Sequence, residues 1–384
     1  MEETLVCSLK KCIQEKFTKR MPRVEVKSVD LPLDDRSHMM VNWAEDGQAT
    51  FHDICWKALI NSFKMDNPFT LCSREKELVQ EARKSSEYFD SWEKVKFEAD
   101  RVTRMMKDSQ YAIAFTGAGI STAAGIYDFR GKNGKWTERD REKYFGPSQY
   151  RRHRDFCYEE LRPTYTHEAI LKLLQLGYIK HVISQNTDGL HRLSGIPRDK
   201  LSELHGNSFH EKCEKCQTRY ERPFAVKKVG DSPPRICVHC HFDHRTGRNC
   251  ERKGCDGPLM NTIINFGDSL EKRVLSIADE HAKRNDLVLC LGTTLRVTPA
   301  CDLVEAGVRP LRLVICNRQP TSFDRMCYEV AEGASIHSGA RVYGDCDHFM
   351  REIMTSLLSA EDLEEWEDEV EGKEYSRQRE RPPE

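Results

Sequence analysis

The chain has 384 residues, 38% of them apolar and 32% charged, with 60 Lys+Arg against 62 Asp+Glu for a formal net charge of -2. That balance excludes a strongly basic nucleic-acid-binding domain, though not a local basic patch, and no apolar run approaches the ~18–20 residues of a membrane-spanning helix. The opening MEETLVCSLKKC lacks the basic-then-apolar plan of a secretory signal, so an intracellular setting is expected, and there the sixteen cysteines point to metal ligation before disulfides.

Residues 1–87 form a polar, irregularly patterned extension with cysteines at 7, 12, 55 and 72. Cys7-x4-Cys12 and His52-x2-Cys55 have knuckle-like spacing, flanked by Phe51 and Trp56. Two readings stand: a zinc-finger-like targeting module with an inserted loop, or chance spacing in a cysteine-rich chain.

Residues 88–358 alternate helical and strand-like runs. Phe89–Lys107 carries Val95, Phe97, Ala99, Val102 and Met106 at near-helical spacing. Short apolar runs at Tyr111–Thr116, His181–Gln185, Asp286–Leu291 and Leu311–Asn317 read as buried parallel strands. His167–Leu176, between the first two, places Ile170, Leu173 and Leu174 on one helix face. The alternation predicts an α/β fold, a doubly wound, Rossmann-like parallel sheet whose ligand binds at the carboxyl ends of the strands. Each strand ends in a polar or glycine-rich turn. Thr116-Gly117-Ala118-Gly119 is the first, and its glycines let a backbone approach a pyrophosphate. From Glu361 the tail is an acidic block followed by Arg and Pro; residues 359–384 read as disordered.

Four ordered motifs then carry a resemblance: Gly117-Ala-Gly-Ile-Ser121, Asp128-Phe-Arg130, Gln185-Asn-Thr-Asp188-Gly-Leu-His191 and Leu204-His-Gly-Asn207 resemble the sirtuin family of NAD-dependent protein lysine deacylases. It runs from about residue 88 to 358. Gly134-Lys-Trp136, Thr246-Gly-Arg248 and Ile264-Asn-Phe-Gly-Asp268 look like the chromatin-associated class IV branch. The resemblance implies an enzyme that releases nicotinamide, O-acyl-ADP-ribose and free lysine. His205 would be the general base, a role suited to a group whose pKa lies near working pH. Asn186 and Asp188 would hold the nicotinamide amide and a ribose hydroxyl or water, although Asn-Thr-Asp-Gly is also good turn chemistry.

The same resemblance assigns the rest of the cofactor site. Gly117, Ala118, Gly119 and Thr122 would line phosphate and ribose, with Asp128 in the following loop. Phe129 would shield the reacting face, Arg130 would meet phosphate and Trp136 would close over the ligand. Gln185 would contact ribose, and Gly292, Thr293 and Thr294 phosphate oxygens. Asn317 and Gln319 would reach the adenosine ribose, and Cys346 would lie against adenine. Ile264, Asn265, Phe266 and Gly267 would pair with the backbone of the acyl-lysine peptide as an added strand. Two positions depart from the family pattern: Tyr127 stands where proline is usual, and Asp268 where glutamate is usual. Both bear on acyl preference and rate.

Cys213-x2-Cys216 opens a module of about residues 208–260 inserted between strands, with the spacing of one structural zinc site. Its second pair is Cys250-x4-Cys255, favoured by the class IV frame around Thr246-Gly-Arg248, or Cys237-x2-Cys240, which gives the tidier C-x2-C-x20-C-x2-C. His239, His241 and His244 crowd the latter. Cys290, Cys301, Cys316 and Cys327 read as core or surface thiols.

Two rival functions remain at this point: ADP-ribosyl transfer or NAD hydrolysis by the same site, and a non-catalytic chromatin scaffold. The branch resemblance implies a nuclear location, otherwise cytoplasmic, and histone or other nuclear substrates.

Overall fold

In the computed structural model the described residues are 7–9, 12, 23–27, 41–42, 44, 48–52, 55–56, 59, 87–128, 161–230, 234–329 and 338–375. They fall into two compact units. The first is Met1–Phe89 with Phe129–Gly146 and Arg318–Pro320, and the second is Asp90–Asp128, Pro147–Asn317 and Thr321–Glu384.

In the first unit, β1 (Arg23–Lys27) and β2 (Gln48–His52) form an antiparallel ribbon, Arg23 opposite His52. A ribbon of two strands has too little apolar face to stand alone. Here Ala49 and Phe51 on β2 pack with Cys7, Val41 and Leu59.

The second unit is built on six parallel strands. In chain order they are β3 (Ala112–Thr116), β4 (Ile179–Ser184), β5 (Leu201–Glu203), β10 (Leu287–Leu291), β11 (Arg312–Cys316) and β12 (Ala340–Val342). Their order across the sheet is β12-β11-β10-β3-β4-β5, the doubly wound arrangement in which strands are added to one side of β3 as far as β5 and then, from β10, to the other. Strands β3 and β10 are buried along their whole length, which is why both read as continuous apolar runs. One face is covered by α1 (Trp92–Asp108), α2 (Tyr165–Gln175) and α5 (Cys346–Leu357), and the other by α4 (Lys272–Arg284) with the turn at Ala300–Glu305.

Helix α1 begins at Ser91, whose side chain accepts from the Lys94 amide. It buries Val95, Ala99, Val102 and Met106, but Phe97, expected on that face, is 58% exposed. Residue 97 sits two positions from either buried neighbour, about 200° around the helix, so it points outward.

The expected disorder after residue 358 is corrected by α6 (Ala360–Gly372). Composition misled because the helix needs only a narrow apolar stripe. Leu363, Trp366 and Val370 supply it at i, i+3 and i+7 against the core. Ser359 caps the first turn by accepting from the Asp362 amide, where Glu361 and Asp362 suit the helix dipole. Arg351 pairs with Glu367 at 2.8 Å, and Lys373 reaches the buried Glu168 at 2.6 Å. Residues 376–384 lie outside the described residues.

Between β5 and α4 the chain forms a small antiparallel sheet of β6 (His210–Cys213), β7 (Arg219–Glu221), β8 (Arg245–Asn249) and β9 (Pro258–Asn261), in the order β7-β6-β9-β8. Its core is chiefly Cys213, Tyr220, Cys250 and Leu259. Such a core is small for an independent module, and a metal is the usual reinforcement. Among the described residues no helix is long and apolar enough to cross a membrane.

Candidate active site and metal centres

The site forms at the carboxyl edge of the large sheet, beyond Thr116 and Leu291, the paired last residues of β3 and β10. After β3, Gly117 leads into a tight turn over Ala118–Ala124. After β10, Gly292 takes a positive φ of 63°. The two turns approach so closely that a Cβ on Gly119 would lie 2.6 Å from the Gly292 Cα, and one on Gly292 would lie 2.4 Å from the Ile120 nitrogen. The Gly117 amide donates to the Leu291 carbonyl and the Gly119 amide to the Gly292 carbonyl at 2.8 Å. These amides join the two strand ends, a role the phosphate-cradle expectation had not included.

The turn after β4 brings the polar side chains in. Asn186 and Asp188 are both 7% exposed. Asn186 Nδ2 donates to the Gly117 carbonyl at 3.1 Å and to Ser121 Oγ at 3.3 Å. Ser121 in turn donates to Asp188 Oδ2 at 2.7 Å. The other Asp188 oxygen accepts the Leu190 amide at the start of α3 (Leu190–Ser194). Asn-Thr-Asp-Gly is thus a turn, as its chemistry suggested, and the turn is compatible with the functional reading. Gln185 Nε2 donates to Thr293 Oγ1 at 2.9 Å, coupling the β4 turn to the β10 turn.

His205 follows β5. Its Nδ1 lies 3.0 Å from the Gln185 carbonyl. A carbonyl only accepts, so Nδ1 carries the proton and Nε2 is left with the lone pair of a base. Burial pushes the His205 pKa below the ordinary imidazole value, opposed by the bond to Gln185. Gly206 has a φ of 80°, and a Cβ there would lie 1.9 Å from the Thr262 carbonyl oxygen. Only glycine allows this turn. The His205 carbonyl accepts the Ile264 amide at 3.0 Å, so Ile264 is tied directly to the histidine. Asn265 follows, and Phe266 and Gly267 are exposed, with Phe266 at 66%.

Ala118 and Thr122, in the turn after β3, and Thr294, in the turn after β10, are half-buried, as is Asp128. Asn317, after β11, and Cys346, opening α5, are buried. Gln319 is buried and belongs to the first unit. Phe129, Arg130 and Trp136 lie outside the described residues. Sequence reasoning gave no role to Ser121, although it sits inside a quoted motif, and for Thr293 it expected phosphate but not the bond from Gln185. A hydroxyl one turn beyond Gly117 was the available signal.

The cysteines sort by geometry. Cys213, Cys216, Cys250 and Cys255 bring their sulfurs together, with 3.7 Å between Cys213 and Cys255 and 3.5 Å between Cys216 and Cys250. A tetrahedral zinc with bonds of about 2.3 Å requires sulfur separations near ~3.8 Å, so the donor set fits that ion. Tyr220 Oη sits 3.0 Å from the Cys250 sulfur as an outer support. Cys237 and Cys240, the alternative pair, belong to a different cluster. In the first unit Cys7, Cys12, His52 and Cys55 gather, with Cys12 Sγ 3.2 Å from His52 Nδ1 and 3.6 Å from Cys55 Sγ. Three thiols and an imidazole are also a zinc donor set. Cys290, Cys301, Cys316 and Cys327 are buried in the sheet and its flanks.

The fold and this site define a Rossmann-type dinucleotide-binding domain with an inserted zinc-ribbon module. Residues 117–299 match the family model described as "Sir2 family". The "NAD-dependent protein deacetylase Sirt6" of Drosophila melanogaster is 39% identical over 242 residues, covering 62% of this chain and 72% of that protein. The human "NAD-dependent protein deacetylase sirtuin-7" is 33% identical over 300 residues, 75% of this chain and 67% of that protein. The "NAD-dependent protein deacetylase SRT1" of Arabidopsis thaliana is 38% identical over 252 residues, 65% of this chain. The chain spans about half the length of that plant relative, 49%. The chain belongs to the Sir2 family, the sirtuins, and resembles its class IV members.

Proposed function

We propose that the chain is an NAD-dependent protein lysine deacylase acting on histone or other nuclear proteins. One observation carries the reading: His205, held by Gln185 with Nε2 as its basic nitrogen, stands at the strand ends beside the Asn186–Ser121–Asp188 network. The deacetylase relatives support it.

Bound NAD would supply a ribose whose bond to nicotinamide can be broken and whose hydroxyls can be deprotonated. Asn186 and Asp188, fixed by Ser121, would orient the nicotinamide and ribose end. The β10 turn of Gly292, Thr293 and Thr294 would face phosphate, and Asn317 and Cys346 the adenosine end. His205 Nε2 would accept the proton of a ribose hydroxyl. The segment Ile264–Gly267 would take the peptide backbone as a neighbouring strand. The Cys213/Cys216/Cys250/Cys255 site would hold a structural zinc, closed by four protein ligands and apart from the chemistry. The Cys7/Cys12/His52/Cys55 cluster would hold another.

The test is a mass-spectrometric product assay with NAD and acetyl- and long-chain-acyl-lysine peptides. Free lysine peptide and O-acyl-ADP-ribose should form together, and His205→Ala should slow both by about 10²–10⁴-fold, the usual worth of a general base. Nicotinamide release without deacylated peptide would overturn the reading in favour of ADP-ribosyl transfer or NAD hydrolysis.

A further inference from the structure

The segment between β7 and β8 contains a second pair of cysteines that the Cys213/Cys216/Cys250/Cys255 centre does not use. Cys237 and Cys240 gather with His244 and Asp268, and one ligand atom from each lies within 4.8 Å of all the others. Cys240 Sγ is 3.2 Å from His244 Nε2, Cys237 Sγ is 3.3 Å from Asp268 Oδ1, and His244 Nε2 is 3.4 Å from Asp268 Oδ2. Bonds of about 2.0–2.3 Å to a tetrahedral ion require edges of about 3.3–3.8 Å. We propose that Cys237, Cys240, His244 and Asp268 form a further zinc site, which fastens the β7–β8 segment to the turn at Asn265–Asp268.

Three observations carry the assignment. The first is backbone geometry. In the Cys213–Cys216 knuckle the Gln217 amide donates to the Cys213 carbonyl at 3.0 Å, and Gln217 has a φ of 62°. In the Cys237–Cys240 knuckle the His241 amide donates to the Cys237 carbonyl at 3.0 Å, and His241 has a φ of 63°. In each an amide inside the loop also points at the first sulfur, from Cys216 in one and His239 in the other, both at 3.4 Å. A left-handed conformation at a glutamine and at a histidine is costly, and both knuckles adopt it at the same place.

The second is the outer shell. His244 Nδ1 lies 3.2 Å from Asn261 Oδ1, and the Asn261 side chain also donates to the His244 carbonyl. An amide oxygen only accepts, so Nδ1 carries the proton and Nε2, the atom facing Cys240 and Asp268, has the lone pair of a ligand. Asp268 Oδ2 accepts the Asn265 amide at 3.0 Å, which sets the carboxylate plane. Gly267 has a φ of 98°, and a Cβ there would lie 2.6 Å from the His239 carbonyl oxygen. The turn and the knuckle are therefore shaped to meet.

The third is charge. Two thiols and a carboxylate converge, and among the described residues no lysine or arginine lies within ion-pair distance of Asp268. A divalent cation neutralises such a set. Two thiolates with an imidazole select zinc over calcium or magnesium. A Cys-x2-Cys disulfide would leave the aim of His244 Nε2 and Asp268 unexplained. If Ile264–Gly267 is the peptide-pairing segment, a reading that rests on the proposed function, this ion anchors its far end. The departure to aspartate at 268 is then the shorter carboxylate of a metal ligand.

The test counts zinc per purified full-length chain. His244→Ala and Cys240→Ser should each contain one equivalent less than the unaltered chain. The double variant should also lack only one, because both ligands serve the same ion. His52→Ala, in the other unit, should lose a different equivalent, additive with His244→Ala. Full zinc content in folded His244→Ala and Cys240→Ser would overturn the site. A readout free of variants protects against misfolding: in the native chain Cys237 and Cys240 should alkylate slowly, and together speed up when a chelator is added. Equal rates with and without chelator, or recovery of the pair as a disulfide, would overturn it. Neither readout involves deacylation, so the site stands or falls separately from the proposed activity.

Discussion

His205 makes a prediction that depends on one hydrogen bond and on burial. A general base acts only when neutral, so activity is present above its pKa in the folded protein and lost as pH falls through it. Burial lowers that pKa from the ordinary imidazole value near ~6.5. The acid limb of kcat/KM for an acyl peptide should therefore have its midpoint below 6.5, with a plateau above it. A profile with that midpoint above 6.5 would contradict the burial account. The sequence singled out His205 through the resemblance that Leu204-His-Gly-Asn207 carries, and the turn it lies in needs glycine at 206. Ser121 was not singled out. Its importance comes from accepting Asn186 while donating to Asp188, residues 65 and 67 positions away, and no local pattern records such a meeting.

At the scale of elements, runs that were apolar on both faces read correctly as central strands, because parallel strands under helices are buried throughout. The short edge strands β5 and β12 were not legible, since three residues carry no period. Helix α6 failed for a different reason: thirteen residues rich in acid read as solvated until the partners of Trp366 are known. Its ring meets Tyr165 edge-on at 5.3 Å and is 5% exposed. Removing a buried indole typically costs about 3–5 kcal/mol. Trp366→Ala should lower unfolding stability by about that amount, read from the denaturant midpoint at unchanged slope. Leu363→Ala, at a partly buried position, should cost less. A Trp366→Ala loss under ~1 kcal/mol, the range of surface substitutions, would mean that α6 is not part of the cooperative core.

The whole second unit carries a buried store of neutral imidazole, and this sets its response to acid. His167 and His191 lie with ring centroids 4.8 Å apart, and Thr116 Oγ1 is 2.8 Å from His191 Nε2. His181 stacks on His281 at 3.7 Å and lies 2.8 Å from Ser202 Oγ. Burial pushes His181 and His191 down to about 3 and His167 well below its ordinary value. The unfolded chain therefore binds protons that the folded chain refuses from about pH 6.5 downward. Stability contributed by these groups is whole above that pH and falls as pH drops toward their folded values. Each contributes a slope of about 1.4 kcal/mol per pH unit. Glu203, whose carboxyl is pushed up by desolvation, works in the opposite sense but supplies only one proton. Between pH 6.5 and 5 ordinary carboxylates stay ionised in both states, so the histidines dominate that interval. The urea midpoint should fall steadily from pH 6.5 to 5, and His181→Asn should flatten the fall by one proton while lowering stability at pH 7. Equal midpoints at pH 7 and pH 5 would show that these rings take up protons without unfolding. The sheet would then have to admit water around His181 and His191, which their burial in this fold does not allow.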